Sequence, residues 1–263
     1  MGIFKSIFTS NKKTNTTYIL RQSQYKDELY FLEELKRISK WENSYKSNQG
    51  QYLKSHVELL PSHYYANYTL MFQKIQVSYS LGIEIKTIKT TFNNAFINFC
   101  HALEKQSAYT DFLNVISLST LLNFKFENFK IFSDLFEKPQ DNDNFKSLLA
   151  DNLIWFLMKN KLEKTSSKPN KVAYPELTKS LSLAIESSSE EAIRLVHEYL
   201  DEWYTLNKDM AWYDSHKRQW GYSGYWCWEA GAVVKVMGLD DSSFKDHPHY
   251  PYDMVHWQDK VSV

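Results

Sequence analysis

Between Tyr225 and Met237 the chain is apolar or small on every side of a helix: Tyr225, Trp228, Ala232 and Val236 on one face, Trp226, Ala230, Val233 and Met237 on the other. A helix without a wet face belongs in a protein interior, so this run predicts a central helix around which the others pack. Ala230-Gly231-Ala232 makes it slim enough for another backbone to come close. Glu229 is an exception within it, and a carboxylate there must be paired, hydrogen-bonded or protonated. Anchoring through tryptophan N–H or tyrosine O–H groups is the expected solution. Gly238 stands where the apolar periodicity ends, the place of a left-handed helix-terminating residue. Asp240-Asp241-Ser242-Ser243 then offers caps for a short turn. Two prolines keep His247-Pro248-His249-Tyr250-Pro251-Tyr252-Asp253 out of a helix interior, so it reads as an ordered polar loop pinned by tyrosines.

Upstream, apolar residues step by three and four along most of the chain. Tyr25, Leu29, Leu32, Leu35 and Ile38 give a first helix whose pattern dissolves in Asn43–Gly50. Pro61 opens a second and Gly82 closes it, the proline-in, glycine-out asymmetry. A third runs from Ile85 past Leu103, a fourth from Tyr109 to Leu122, and a short aromatic one passes through Phe129 and Leu135. Phe145, Leu149, Leu153 and Phe156 restart a helix that runs out near Lys164. Ser188 with Glu191 three residues on is a capping-box signature for a helix burying Ile193, Val196, Leu200 and Trp203. All six prolines fall between these segments and alternating strand patterns are scarce. The expectation is an all-α, two-domain helical bundle, with residues 1–138 and 139–263 divided at the polar run 137–144.

Composition removes several function classes. Lys+Arg and Asp+Glu are equal at 31 each, so bulk attraction to nucleic acid or anionic membrane is not expected. Two cysteines, Cys100 and Cys227, in apolar surroundings read as core thiols of a reducing compartment rather than a disulfide framework. No run is long and apolar enough for a signal peptide or a membrane span, which predicts a cytoplasmic protein.

Three groups carry candidate chemistry. Between Glu186 and Asp214 eight carboxylates face only Arg194 and Lys208, a local charge of −6. Most charge runs are solvated helix exterior, but like charges at helical spacing cost stability, which raises an interaction surface as the reading beside it. Glu191, Glu198, Glu202 and Asp209 form its stripe, with Glu190, Asp201 and Asp214 at the rim. His197-Glu198-x-x-Asp201 is a partial match to a zinc-protease helix, with aspartate where the second histidine belongs. His247, His249 and His256 with Asp240, Asp241, Asp246 and Asp253 are the raw material of a metal-dependent hydrolase, the competing reading for the C-terminal loop.

The run Gly224-Tyr225-Trp226, Glu229-Ala230-Gly231-Ala232, Gly238 to Ser243, His247-Pro248 and Tyr250-Pro251-Tyr252-Asp253, with Trp212 and His216 upstream, resembles the C-terminal domain of the PoNi-type immunity proteins. Tyr79-Ser80-Leu81-Gly82 before a helix is similar to that family's other domain. Trp226-Cys227-Trp228 departs from it, since the family more often has smaller or phenyl residues there. The resemblance implies an all-helical, cytoplasmic, two-domain protein that binds a PoNe-type DNase toxin of the PD-(D/E)xK class and blocks DNA cleavage in interbacterial competition. It implies no enzyme activity, no cofactor or metal and no direct contact with nucleic acid or membrane, and it leaves a homodimer open. The motif residues read as architecture, and the acidic stripe as the toxin-facing surface.

Overall fold

The computed structural model describes residues 18–54, 59–106, 108–125, 150–159 and 168–258. The expected helix through Phe129 and Leu135, the linker at 137–144 with its boundary at 138, and the helix end near Lys164 lie outside the described residues. Among the described residues the chain is all-α. Its helices are α1 (Glu28–Lys54), α2 (Pro61–Leu81), α3 (Ile85–Gln106), α4 (Tyr109–Leu121), α5 (Asn152–Met158), α6 (Pro175–Ala184), α7 (Ser189–Leu206), α8 (Trp228–Met237) and α9 (Tyr252–Val255). A single turn of 3-10 helix covers Ser215–Lys217. One isolated bridge pairs Asp151 with Lys171. No helix among the described residues is long and apolar enough to cross a membrane.

The α2–α3 hairpin shows how local sequence sets the frame. Pro61 occupies the first turn of α2, and Gly82 ends it in the left-handed region at φ 93°. There Ile83 N–H returns to the Ser78 carbonyl and Gly82 N–H to that of Tyr79, satisfying carbonyls the helix leaves unpaired. A Cβ at Gly82 would stand 2.2 Å from the Ile19 carbonyl oxygen, so the turn also seats the incoming N-terminal segment.

Alpha-helix α1 runs to Lys54, beyond the point where its apolar pattern fades. Polar pairing replaces packing there: Glu42 binds Lys46 one turn on and Lys74 of α2, each at 2.6 Å. Ser188 does cap α7 with extended backbone, but its side chain makes no cap hydrogen bond. Glu191 turns to Arg194 instead of reaching back. The buried face of α7 is Ala192, Leu195, Val196, Tyr199, Leu200 and Trp203, with Ile193 only half-buried.

Helix α8 is the interior helix that its sequence demands. Trp228 to Val234 are all buried, and the helix packs against α4 and α5 on one side and α7 and α9 on others. A Cβ at Gly231 would lie 2.8 Å from Pro251 Cγ and 3.1 Å from Val255 Cγ2. The slim stretch therefore admits α9, and Gly238 closes α8 at φ 65°. One buried apolar cluster extends from Phe31 through α2–α5 to Val255.

Helix α8 begins at Trp228, three residues later than its periodicity suggested. Tyr225, Trp226 and Cys227 lie outside the helix, and distant parts of the chain hold polar backbone groups here: Gln22 takes the Tyr225 N–H and carbonyl, and the His249 carbonyl takes the Cys227 N–H.

Candidate functional site

The family-like residues converge on two side chains that sequence reading passed over. Gln22, fully buried, donates to the carbonyls of Tyr225 (2.9 Å) and Pro248 (3.2 Å). Its Oε1 accepts from Ser80 Oγ (3.1 Å), Tyr225 N (3.1 Å) and the Tyr222 hydroxyl. Arg21 beside it donates to Asp253 at 2.6 Å and to the carbonyls of Tyr79 and Ile83, with its guanidinium 4.4 Å over the Tyr79 ring. Trp226 Nε1 reaches Ser80 Oγ at 2.9 Å. Two adjacent residues thus staple the C-terminal motif to the α2–α3 turn. No periodicity marks them, because a single buried polar residue ahead of a helix looks like any loop residue.

Tyr225 is the second node. Its hydroxyl accepts from His216 N–H at 2.9 Å and lies 2.8 Å from His216 Nδ1 and 3.1 Å from Ser215 Oγ. Tyr25 meets its ring edge-on at 4.7 Å, and Tyr204 at 5.1 Å. Trp212 stacks on Trp203 at 5.3 Å. Gly224, with φ 68°, turns the chain into this cluster.

Glu229 joins α8 to α7. Its Oε1 accepts from Trp203 Nε1 at 2.7 Å and Tyr199 Oη at 2.9 Å, the donor types expected from the sequence, though supplied by a helix rather than a loop. Burial pushes this carboxyl above its ordinary range, and the Tyr199 and Trp203 hydrogen bonds only partly offset that.

The histidines and aspartates of the C-terminal loop serve the same architecture. Asp241, buried, accepts from Tyr250 Oη at 2.7 Å and lies 2.8 Å from His256 Nε2. Asp240 Oδ1 receives Ser242 N–H at 3.0 Å, the expected short-turn cap. His247 faces Asp201 at 3.5 Å, and His249 Nδ1 lies 3.0 Å from the Tyr225 carbonyl oxygen. Among the described residues no three His, Cys, Asp or Glu side chains gather as metal ligands would. In the partial zinc-type motif, His197 lies tilted against Phe244, Glu198 pairs with Arg194 and Asp201 with His247.

Burial depresses the His249 imidazole to about 4 from an ordinary 6.5. A base whose folded value is lowered contributes stability above its unfolded value, lost as pH falls between the two. Chain stability should therefore decline from pH 6.5 towards 4 by roughly 3 kcal/mol on this residue's account. Urea unfolding of His249→Gln across that range checks it: the variant should lose that part of the slope, and a profile parallel to wild type would refute the assignment.

The acidic helix is less one-sided than its sequence. Arg194 bridges Glu191 and Glu198 on its own face. Asp214 holds Lys217 at 2.8 Å and accepts from Tyr204 Oη at 2.9 Å, and Glu186 pairs with Lys168. Glu190, Glu202 and Asp209 are exposed and have no ion-pair partner among the described residues.

Beside the C-terminal end of α7 opens a cleft of about 810 Å³, walled by α1, α2, the start of α4 and residues 207–224. Glu34, fully buried, ties three of the lining residues together, binding Arg37 through both oxygens and accepting from Gln73 Nε2 and Gly221 N–H, each at 3.0 Å.

Fold likeness and family both have counterparts among known proteins. The crystal structure of protein PA2201 from Pseudomonas aeruginosa is similar over 91% of this chain and 90% of its own, with a TM-score of 0.61 and 16% identity. At that identity the likeness speaks for the fold alone. No curated relative matches the chain. The family model for the N-terminal part of PoNe immunity proteins (PoNi) matches residues 10–133, and the model for their C-terminal part matches residues 149–254. With most of its length covered by the two in their natural order, the chain belongs to the PoNe immunity protein family, whose role is to neutralise a cognate toxin.

Proposed function

We propose that the toxin this chain neutralises is a DNA-cleaving enzyme, bound in the cytoplasm of the cell that makes both, and that the chain performs no reaction of its own. The observation that carries this reading is the one-signed segment 186–214, with eight carboxylates against two cations. A groove built for phosphates presents lysine and arginine. An acidic protein face is drawn to such a groove with fast, salt-sensitive association. Among the described residues Glu190, Glu202 and Asp209 are the unpaired charges of that face, while Glu191, Glu198, Asp201 and Asp214 shape it through their own partners. The buried motif residues are left to hold the scaffold, and cognate choice falls to exposed positions.

The test is the triple reversal Glu190→Lys, Glu202→Lys, Asp209→Lys, which leaves the Arg194 bridges in place. Association with the purified cognate toxin should slow about tenfold or more at low salt, and the gap should narrow as salt rises. Protection of cells expressing the toxin should fall while helicity stays as in wild type. Equal rates and equal protection would reduce the face to solvated exterior.

A further inference from the structure

We infer that the cleft beside α7 receives an arginine side chain carried on a loop of the toxin, anchoring the complex that the acidic face attracts; this rests on the reading that the chain binds a basic nuclease. The cleft, at about 810 Å³, has room for a side chain and the loop backbone bearing it. Its walls are aromatic. Trp41 of α1 is 59% exposed, Tyr65 comes from α2, and Trp212 faces the cleft from the C-terminal half.

The charge within it is negative and lacks a counterpart. Asp111, at the start of α4, accepts from the Tyr65 hydroxyl at 2.7 Å, and among the described residues no lysine or arginine pairs with it. Arg37, the one cation lining the cleft among the described residues, is spent on buried Glu34. Burial raises the Asp111 carboxyl above its usual range, a cost that a docked cation would relieve. A guanidinium suits such a place better than an ammonium, because it stacks on indole and phenol faces while its planar donors meet a carboxylate.

The cleft is also continuous with the acidic face. Asn207, Met210 and Trp212 line it, and exposed Asp209 lies among them in sequence. Charges on α7 would bring the toxin in, and a desolvated aromatic–carboxylate pocket would hold it. Such a division matches interfaces where a few buried anchors carry the affinity and rim charges set the rate.

The experiment is calorimetric titration of the full chain with its cognate toxin. Wild type is compared with Asp111→Asn, which keeps an acceptor for Tyr65, with Trp41→Ala, and with Asn114→Lys, which plants a cation in the cleft. We expect Kd to weaken at least about thirtyfold for Asp111→Asn and for Asn114→Lys, and at least about tenfold for Trp41→Ala. Melting temperatures should hold within a few degrees. One toxin arginine, replaced by alanine, should show strong coupling to Asp111→Asn in a double-mutant cycle. If wild type binds and all three variants bind as tightly, the cleft is not the anchor although toxin binding stands. If only Trp41→Ala weakens binding, an apolar contact suffices and the arginine is refuted. Should wild type fail to bind at all, the functional reading and this inference fall together.

Discussion

Gln22→Ala should lower stability by roughly 4 kcal/mol, since each buried donor or acceptor left without a partner costs about 1–3 kcal/mol. Five hydrogen bonds end on this one amide, but their loss is not uniform. Ser80 Oγ keeps its bond to the Gln76 carbonyl, and the Tyr225 carbonyl keeps His249. Tyr225 N–H and the Pro248 carbonyl lose their partner outright, and the fully buried Tyr222 hydroxyl is left with Ser80 alone. In a chain of this size about 4 kcal/mol corresponds to roughly 10 °C in melting temperature. Gln22→Met, similar in reach but apolar, should fare little better, which separates lost hydrogen bonds from lost volume. A shift of only a degree or two in thermal unfolding would show that water replaces the amide.

Glu229→Ala comes second, at about 3 kcal/mol, because it strands the Tyr199 hydroxyl and the Trp203 indole N–H and leaves a small cavity. Glu229→Gln should be tolerated, since an amide oxygen accepts from the same two donors. The sign of the pH effect follows from the raised carboxyl. An acid held above its unfolded value of 4.5 contributes its full stability below that pH and loses it as pH rises through the folded value. Wild type should therefore lose stability in that window relative to Glu229→Gln, which has no proton to release. Guanidinium unfolding of both proteins from pH 4 upward reads the difference. Parallel profiles, or an alanine variant as stable as wild type, would mean that Glu229 is solvated in a way its surroundings do not suggest.

Sequence revealed those parts of the fold that depend on periodicity and on single-residue backbone chemistry. The Pro61–Gly82 helix, the all-round apolar core of α8, its end at Gly238 and the donors sought by Glu229 all follow from residue type and spacing. Where neighbours distant in the chain decide the local structure, the pattern misleads. Tyr225 to Cys227 look helical, yet their amides and carbonyls are claimed by Gln22 and His249. The polar end of α1 looks like loop, yet Glu42 bridges to Lys74. Asp151, buried and capping α5 while holding Ala173 N–H at 2.8 Å, carries no signature distinguishing it from a surface aspartate. The acidic stripe was legible as charge, but Arg194 lying across Glu191 and Glu198 required geometry. The cleft was invisible, because its walls come from four separate parts of the chain.

The staple at Arg21 and Gln22 bears on synthesis. Their partners lie up to 232 positions further along, so a nascent chain holds Gln22 and Ser80 ready long before Tyr225 and Asp253 leave the ribosome. Domains made early usually close as they emerge, but here the first segment stays open until residues as far as Asp253 have been made. A message cut short after α7 would yield helices without their keystone. Neutralising the toxin therefore waits until the segment from Tyr222 to Asp253 has been made and docked.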